Sequence, residues 1–313
     1  YLYALQCLRE ASPSFINYFF LFISEVTLYL SALIIANIYW SFNKEDGAYI
    51  FMGYVSAISI NECLKDIFCI NRPWVLDSRL HVDSLAKSSA TGYSFPSGHT
   101  TTAASLFGGL ALSQKKRKGL SIFLLIVVIL VAFSRNWLGA HTMKDVLVAI
   151  CHTSLMLCFV SFIRYILSKK PGKDTLVTVI AIIISVIILL LLTHKSYKPV
   201  YNDDGSLLVD PAKMIKDAYK SIGGAMGFFM GWWLERHCLK FQIPSSGKNK
   251  FLCCLFGSLI ILSWMFGISK VLELFGPNVS AFLKYFVNFF FILYLYPLLF
   301  TAVSKLANKK KAA

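Results

Sequence analysis

Two histidines and an aspartate in this chain have spacings that suit phosphate-ester chemistry. His141 stands four residues before Asp145, so a helix that opens near His141 would place the carboxylate beside the imidazole, one turn away. The carboxylate would keep one ring nitrogen protonated and leave the other free as a nucleophile. The second histidine, His99, ends the tetrapeptide Pro-Ser-Gly-His at 96–99. These residues are candidates for a nucleophile and for a general acid or base.

Three basic residues close to these groups supply charge for an anion. Lys65 and Arg72 are seven residues apart, which is two helical turns, just before Pro73 stops the helix. Arg135 follows Ser134 at the end of another apolar run. A phosphate dianion needs fixed positive charge around its oxygens, which arginine offers as a planar fork and lysine as a compact charge. We therefore expect these three cations to bind phosphate.

The tetrapeptide also predicts the start of a helix. Its proline and serine favour a helix N-terminus, where free backbone N–H groups and the positive dipole end attract an anion. Gly98 would let the backbone come close to the ligand, and the Ser97 hydroxyl would add a donor. A plain helix cap explains the serine equally well, and basic residues at the ends of apolar runs can instead extend to the membrane interface.

The composition indicates a membrane protein with several helical spans. Of 313 residues, 57% are hydrophobic and only 15% are charged, too few to solvate an ordinary globular surface. Several apolar windows approach the roughly 20 residues with which a helix crosses a ~30 Å hydrocarbon core, and the alternating pattern of a barrel does not occur. The sequence therefore predicts an all-α, polytopic transmembrane helical bundle.

Charge and cysteine content argue against two other classes of protein. The formal net charge is +15, but the basic residues cluster at the ends of apolar runs instead of forming a nucleic-acid-binding stripe. None of the eight cysteines forms a Cys-x-x-Cys pair or stands at metal-ligand spacing. We expect membrane lipid as a partner, and no nucleic acid, metal or cofactor.

Apolar windows between breakers predict nine spans, which fall in the second and third of three regions. Residues 1–25 are expected to form two short interfacial helices without the features of a cleavable signal peptide. Residues 26–193 are expected to form a six-span region with the motifs, and residues 194–313 three further spans. The predicted spans are 26–42, 49–68, 99–113, 120–138, 143–167, 175–193, 217–235, 252–272 and 280–304.

Charges in the short loops predict the orientation. Basic clusters at 115–118, 169–173, 236–250 and 309–311 fall on one side, which is cytoplasmic by the positive-inside rule. Alternation of the spans then places the candidate site outside and the C-terminus in the cytoplasm. The outer loop 194–216 also carries four lysines, but it is long and contains Asp203 and Asp204, so it counts less than the short loops. We expect a bacterial plasma-membrane protein with an extracytoplasmic site.

Taken together, the motifs resemble those of the type-2 phosphatidic acid phosphatase superfamily, which includes lipid phosphate phosphatases, glucose-6-phosphatases and vanadium haloperoxidases. The family pattern is a lysine, six residues and Arg-Pro, then Pro-Ser-Gly-His, then Ser-Arg, five residues, a histidine, three residues and an aspartate. Residues 65–145 satisfy each element.

The resemblance implies a role for each motif residue. His141 would attack phosphorus to form a phosphohistidine while Asp145 orients it, and His99 would protonate the leaving oxygen and then activate water. It also implies that fixed cations take the place of a metal. The residues that would bind phosphate are Lys65, Arg72, Ser97, Gly98 and Arg135.

The sequence favours hydrolysis of a phosphomonoester or diphosphate of a lipid, such as phosphatidate or a polyprenyl diphosphate, because a site at the bilayer edge leaves the apolar chain in the membrane. One alternative is a phosphatase for soluble sugar phosphates, since nine spans with an outer N-terminus match the glucose-6-phosphatase layout. Another is a non-enzymatic phospholipid-binding or transport protein, against which the complete nucleophile set argues. A soluble haloperoxidase fits this apolar chain least, and no oligomeric state follows from the sequence.

Overall fold

The fold is an α-helical bundle, as the composition predicts, and the computed structural model describes residues 1–170, 172–202, 204–267 and 272–312. Four of the described helices continue directly into a π-helical segment. A short antiparallel hairpin, Val200–Tyr201 with Leu207–Val209, follows the tenth helix. The helices are α1 Leu2–Ala11, α2 Ser14–Asn37, α3 Lys44–Phe68, α4 Pro73–Leu76, α5 Ser84–Lys87, α6 Gly98–Ala103, α7 Gly109–Ser113, α8 Lys118–Trp137, α9 Met143–Lys169, α10 Asp174–Thr193, α11 Pro211–Leu234, α12 Gly247–Gly267, α13 Pro277–Phe290 and α14 Tyr296–Ala312.

Several of these helices have the length and apolarity of membrane spans. Within the described residues five qualify: Ser14–Phe42, Lys118–Trp137, Met143–Lys169, Asp174–Thr193 and Pro277–Leu306. Most of α10 is exposed and apolar, which a helix facing lipid requires. The chain is therefore an integral membrane protein. The other four predicted spans are not in this set, and residues 268–271 of the predicted span 252–272 lie outside the described residues. A total of about nine stays a prediction.

The N-terminal region differs from the prediction near residue 25. Residues Ser14–Asn37 form one uninterrupted helix, and the π-helical segment Ile38–Phe42 extends it. The predicted boundary between a short helix 14–25 and a span 26–42 is therefore wrong. Ser24 and Glu25 interrupt the apolar run, but in the fold both side chains have polar partners inside the bundle.

An aromatic core joins α3 to the C-terminal helices. The Phe51 ring lies 5.2 Å from that of Phe228 on α11 and 4.8 Å from that of Phe289 on α13, both in edge-to-face geometry. Such pairs contribute about 0.5–1.5 kcal/mol beyond the area they bury. At the other end of the core, the indole of Trp40 donates to the carbonyl oxygen of Ile292 at 2.8 Å. The last helices are thus packed directly against the motif-bearing region.

A stripe of glycines brings α13 against α11 at backbone distance. A Cβ atom at Gly223 would overlap the carbonyl oxygen of Phe282, and one at Gly227 would overlap that of Phe286. Glycine recurs every four residues here, the small-residue spacing that allows close helix contact within a membrane. The two helices run parallel, because both partners advance together along the chain. This contact fixes where the aromatic side chains of α13 lie.

We expect Gly227→Ala to destabilise the protein by about 1–3 kcal/mol, because the added methyl group forces α13 away from α11. Thermal unfolding of purified protein in detergent measures the effect. Gly119→Ala is the matched control, since a Cβ atom at Gly119 meets nothing within 4 Å. Equal unfolding temperatures for the two variants would show that the helices are not held at this distance.

Candidate active site

The end of α3 and the start of α4 place the first two cations. The helix ends at Phe68, and Cys69 takes a left-handed conformation with φ 47°, which turns the chain away from the helix axis. Arg72 therefore lies outside α3, as the N-cap of α4, which begins at Pro73. The prediction that Lys65 and Arg72 share one helical face is therefore wrong in its geometry, although both side chains line the same cavity.

Backbone carbonyls hold the Arg72 guanidinium in place. Its Nε donates to the oxygen of Gly92 at 2.9 Å, Nη2 to that of Thr91 at 2.7 Å and Nη1 to that of Ala140 at 2.9 Å. The side chain is 4% exposed. Burial, and then the positive charge of Arg135, lower the pKa of Arg72 to about 9. The group therefore stays cationic at neutral pH and points in a fixed direction.

A capping box at the start of α9 fixes the aspartate. The Asp145 Oδ2 accepts from the Thr142 backbone N–H at 2.7 Å, and Thr142 Oγ1 accepts from the Asp145 N–H at 3.3 Å. The helix begins at Met143, so His141 precedes it and the predicted helical turn from His141 to Asp145 is wrong. The two side chains still meet, with His141 Nδ1 3.6 Å from Asp145 Oδ2.

The contacts of His141 define which ring nitrogen is unprotonated. Its Nε2 lies 3.0 Å from Arg72 Nη1, and because a guanidinium only donates, this nitrogen must carry a lone pair. Its Nδ1 then bears the proton and faces the Asp145 carboxylate, to which Ser94 Oγ also donates at 2.6 Å. Burial, and then the charge of Arg72, hold the pKa of His141 well below its ordinary value. The imidazole is therefore neutral at pH 7.

The start of α6 presents the second histidine. Ser97 is the N-cap, as predicted, and its Oγ accepts from the Thr100 backbone N–H at 3.4 Å. A Cβ atom at Gly98 would meet only Asn61 Oδ1 at 4.0 Å, so this face of the helix is open. His99 Nε2 lies 3.2 Å from Glu25 Oε1 on α2.

Arg135 near the end of α8 is a buried cation with free donors. Its side chain is fully buried, and Nη1 donates to Ser24 Oγ at 3.2 Å and lies 3.7 Å from Glu25 Oε1. Within the described part of the chain, Nε and Nη2 have no hydrogen-bond partner. Unpaired buried donors are costly, so their presence beside two histidines indicates a place for an anion.

A cavity of about 320 Å³ gathers most of the predicted site residues. Three others, Ser97, Arg135 and Asp145, are buried outside its lining. Among the residues that the structure describes, no three His, Cys, Asp or Glu side chains are grouped as a metal site requires. The predicted residues that line the cavity are Lys65, Arg72, Gly98, His99 and His141.

Sequence reasoning missed two residues that contact the histidines. Ser94 supports Asp145 but belongs to a loop without a motif. Glu25 lies 74 residues before its partner His99. A carboxylate in the middle of a membrane-length apolar run is expensive and usually functional, and that signal could have singled out Glu25.

Two family models match this chain. The model of the PAP2 superfamily matches residues 46–166, and the model described as the transmembrane extension of PAP2 superfamily phosphatases matches residues 219–309. The chain belongs to the PAP2 superfamily. It is thus a membrane phosphatase of the branch that carries the extension. Searches of curated proteins and of solved structures found no match for the chain.

Both matched segments of this PAP2 protein contribute to the same cavity. From the PAP2 segment come the cations and the histidines, and from the extension come Lys220, Ser221, Tyr285 and Phe289. The Lys220 ammonium is 2.6 Å from Asp217 Oδ1 at the cavity wall. The extension is therefore part of the site's wall as well as part of the bundle.

We expect Arg135→Gln to weaken binding of inorganic vanadate, a phosphate mimic, by about 10- to 100-fold, because charge-assisted hydrogen bonds contribute about 1.5–3 kcal/mol. Calorimetric titration of the purified protein measures the dissociation constant. Arg135→Lys, which keeps the charge but loses the fork, should fall between wild type and Arg135→Gln.

The matched control for this titration is Arg236→Gln, which removes an arginine that pairs with Asp174 near the end of α11. Thermal unfolding of each variant shows whether the bundle is intact. Unchanged vanadate affinity in folded Arg135→Gln would exclude this guanidinium from the anion site.

Proposed function

We propose that this PAP2 phosphatase hydrolyses a lipid phosphate through a phosphohistidine on His141, with its site facing away from the cytoplasm. The observation that carries the proposal is the 3.0 Å contact between His141 Nε2 and Arg72 Nη1. It places the unprotonated nitrogen of a neutral imidazole beside a buried cation, from which that nitrogen accepts a hydrogen bond. A phosphate that accepts this hydrogen bond in place of Nε2 has its phosphorus next to the nucleophile.

In the proposed first step, His141 Nε2 attacks phosphorus and the P–O bond to the lipid breaks. The leaving alkoxide takes a proton from His99, which becomes neutral. In the second step His99 removes a proton from water, and the resulting hydroxide attacks the phosphohistidine. Inorganic phosphate leaves, His141 is neutral again and His99 is protonated again, so both groups return to their starting states.

Positive side chains stabilise the negative charge that develops on the phosphate oxygens in the transition state. Lys65 and Arg72 line the cavity, and Arg135 is buried outside its lining with two nitrogens that have no partner in the described part of the chain. Preorganised donors of this kind contribute several kcal/mol of transition-state stabilisation in a site that excludes water. We propose that these cations bind the phosphate without a metal ion. The roles of Gly98 as an open approach to the backbone and of Ser97 as a donor belong to the same proposal.

The shape of the cavity supports a substrate with an apolar chain. Its polar end contains Lys65, and its other end reaches Tyr54, eleven residues earlier on α3, which is about 16 Å along a helix. The apolar lining of this arm comes from three different helices. It consists of Leu28 on α2, Tyr54, Val55 and Ile58 on α3, and Tyr285 and Phe289 on α13.

Loop charge supports the proposed orientation. The turn between α7 and α8 carries the run Lys-Lys-Arg-Lys at 115–118, at the end of the bundle opposite His99 and His141. The positive-inside rule assigns this run to the cytoplasm. The polar end of the cavity then opens at the extracytoplasmic surface, where a lipid head group can enter while its chain lies along the apolar arm.

We expect purified protein to release phosphate from dioctanoyl phosphatidate in the presence of EDTA and to be inhibited by vanadate. His141→Asn should lower this rate by at least about 10³-fold, as loss of a nucleophile does in other hydrolases. His237→Asn is the control, because His237 contacts Asp174 at a distance from the cavity. A rate that EDTA abolishes, or a fully active His141→Asn variant, would contradict the proposal.

We expect Ile58→Phe to lower kcat/KM for long-chain phosphatidate by about 10-fold or more, since one or two carbons too many in an apolar pocket cost about 1–3 kcal/mol. The same variant should hydrolyse p-nitrophenyl phosphate almost as fast as wild type. Ile60→Phe, two residues further on α3 and outside the cavity lining, is the control. Equal losses on both substrates, or hydrolysis of glucose 6-phosphate in preference to any lipid, would argue for a soluble substrate.

A further inference from the structure

A carboxylate on α2 reaches the active site from outside both matched segments. Glu25 lies in the membrane-length helix Ser14–Phe42, whereas the family models match 46–166 and 219–309. Its side chain is 19% exposed. A charged group at this depth is unfavourable unless it has partners, so its contacts should explain why it is there.

The partners of Glu25 are two of the candidate site residues. Its Oε1 lies 3.2 Å from His99 Nε2 and 3.7 Å from Arg135 Nη1. The neighbouring Ser24 accepts from the same Arg135 nitrogen at 3.2 Å. Two consecutive residues of α2 therefore contact the acid–base histidine and the buried cation.

The contact with Glu25 determines the tautomer of His99. An ionised carboxylate only accepts, so Nε2 must carry the hydrogen that faces it. The proton that His99 exchanges with a substrate is then on Nδ1. Among the described residues no hydrogen bond reaches this nitrogen, and His99 lines the cavity. The ring thus has one nitrogen fixed by protein and the other available to the leaving oxygen.

We infer that Glu25 is the positioning residue of the general acid: it fixes His99 with Nε2 protonated, directs Nδ1 to the leaving oxygen and stabilises the imidazolium form. The inference rests on the proposed function, in which His99 donates and later accepts a proton. The site then contains two histidine–carboxylate pairs that hold opposite tautomers. Asp145 faces Nδ1 of the nucleophile and leaves Nε2 unprotonated, whereas Glu25 faces Nε2 of the acid and leaves Nδ1 to the leaving oxygen.

The two pairs differ in origin as well as in tautomer. The His141–Asp145 pair comes from one helix start, and its members are separated by four residues. The His99–Glu25 pair joins α6 to α2, and it forms only when α2 packs against the start of α6. Packing of α2 in the bundle and the proton-transfer step are therefore coupled through a single carboxylate.

Glu25→Gln tests the inference, because glutamine keeps the size of the side chain and removes its charge. We measure kcat/KM, which covers the steps up to phosphohistidine formation, for two substrates with different leaving groups. The alkoxide of dioctanoyl phosphatidate needs a proton, whereas the nitrophenolate of p-nitrophenyl phosphate is stable without one. We expect kcat/KM to fall about 10- to 100-fold on phosphatidate, which is part of the roughly 10²–10⁴-fold that general acid catalysis contributes in full. On the nitrophenyl ester kcat/KM should fall less than about 3-fold.

A second comparison separates a positioning role from a structural one. If Glu25 acts through His99, the double variant Glu25→Gln/His99→Gln should be no slower on phosphatidate than His99→Gln alone. Glu10→Gln is the matched control, because Glu10 is an exposed carboxylate on α1. Thermal unfolding and vanadate inhibition establish that each variant is folded with an intact anion site.

These measurements show whether a failure concerns the role of Glu25 or the proposed function itself. Equal losses on both substrates would overturn the inference, because Glu25 would then act through Arg135 and the bound phosphate. Wild-type rates in Glu25→Gln, with an inactive His99→Gln, would also overturn it and leave the proposed function standing. A fully active His99→Gln would contradict the proposed mechanism itself.

Discussion

Removing a guanidinium group from water costs several kcal/mol unless hydrogen bonds replace its hydration, and two such groups determine how the polar end of this bundle is built. For Arg72, three backbone carbonyls on two loops accept hydrogen bonds in place of water. Arg135 donates to Ser24 and lies near the more distant Glu25, and two of its nitrogens have no partner among the described residues. The fold thus holds Arg72 as an oriented charge and leaves two nitrogens of Arg135 without a described protein partner, and both features suit a phosphate-binding site.

The rest of the structure serves to bring these charges beside the two histidines. The turn after α3 aims Arg72 at His141, and the capping box of α9 holds Asp145 on the opposite side of the ring. Helix α2 supplies a carboxylate to His99. The glycine stripe between α11 and α13 holds aromatic residues against the apolar arm of the cavity. Polar chemistry at one end and an apolar arm along the helices are what an amphiphilic phosphate ester requires.

Motif spacing and apolarity predicted the helical class, the PAP2 family and five of the residues that line the cavity. They did not predict the local geometry, because helix ends depend on caps more than on hydrophobic periodicity. Arg72 and His141 both lie outside the helices to which the pattern assigned them. Glu25 was invisible to motif reasoning for a different reason: its contact with His99 exists only in the tertiary packing of α2 against α6. Whether the site residues act as the resemblance implies stays a prediction.

The central claim is that His141 carries the phosphoryl group during turnover. The most direct measurement uses His99→Ala with p-nitrophenyl phosphate, whose leaving group needs no acid, so that the intermediate forms but water is not activated to hydrolyse it. Protein denatured at alkaline pH and analysed by peptide mass spectrometry should then carry one phosphoryl group on His141. A phosphoryl group on another residue, or a burst of nitrophenolate with no modified peptide, would contradict the account.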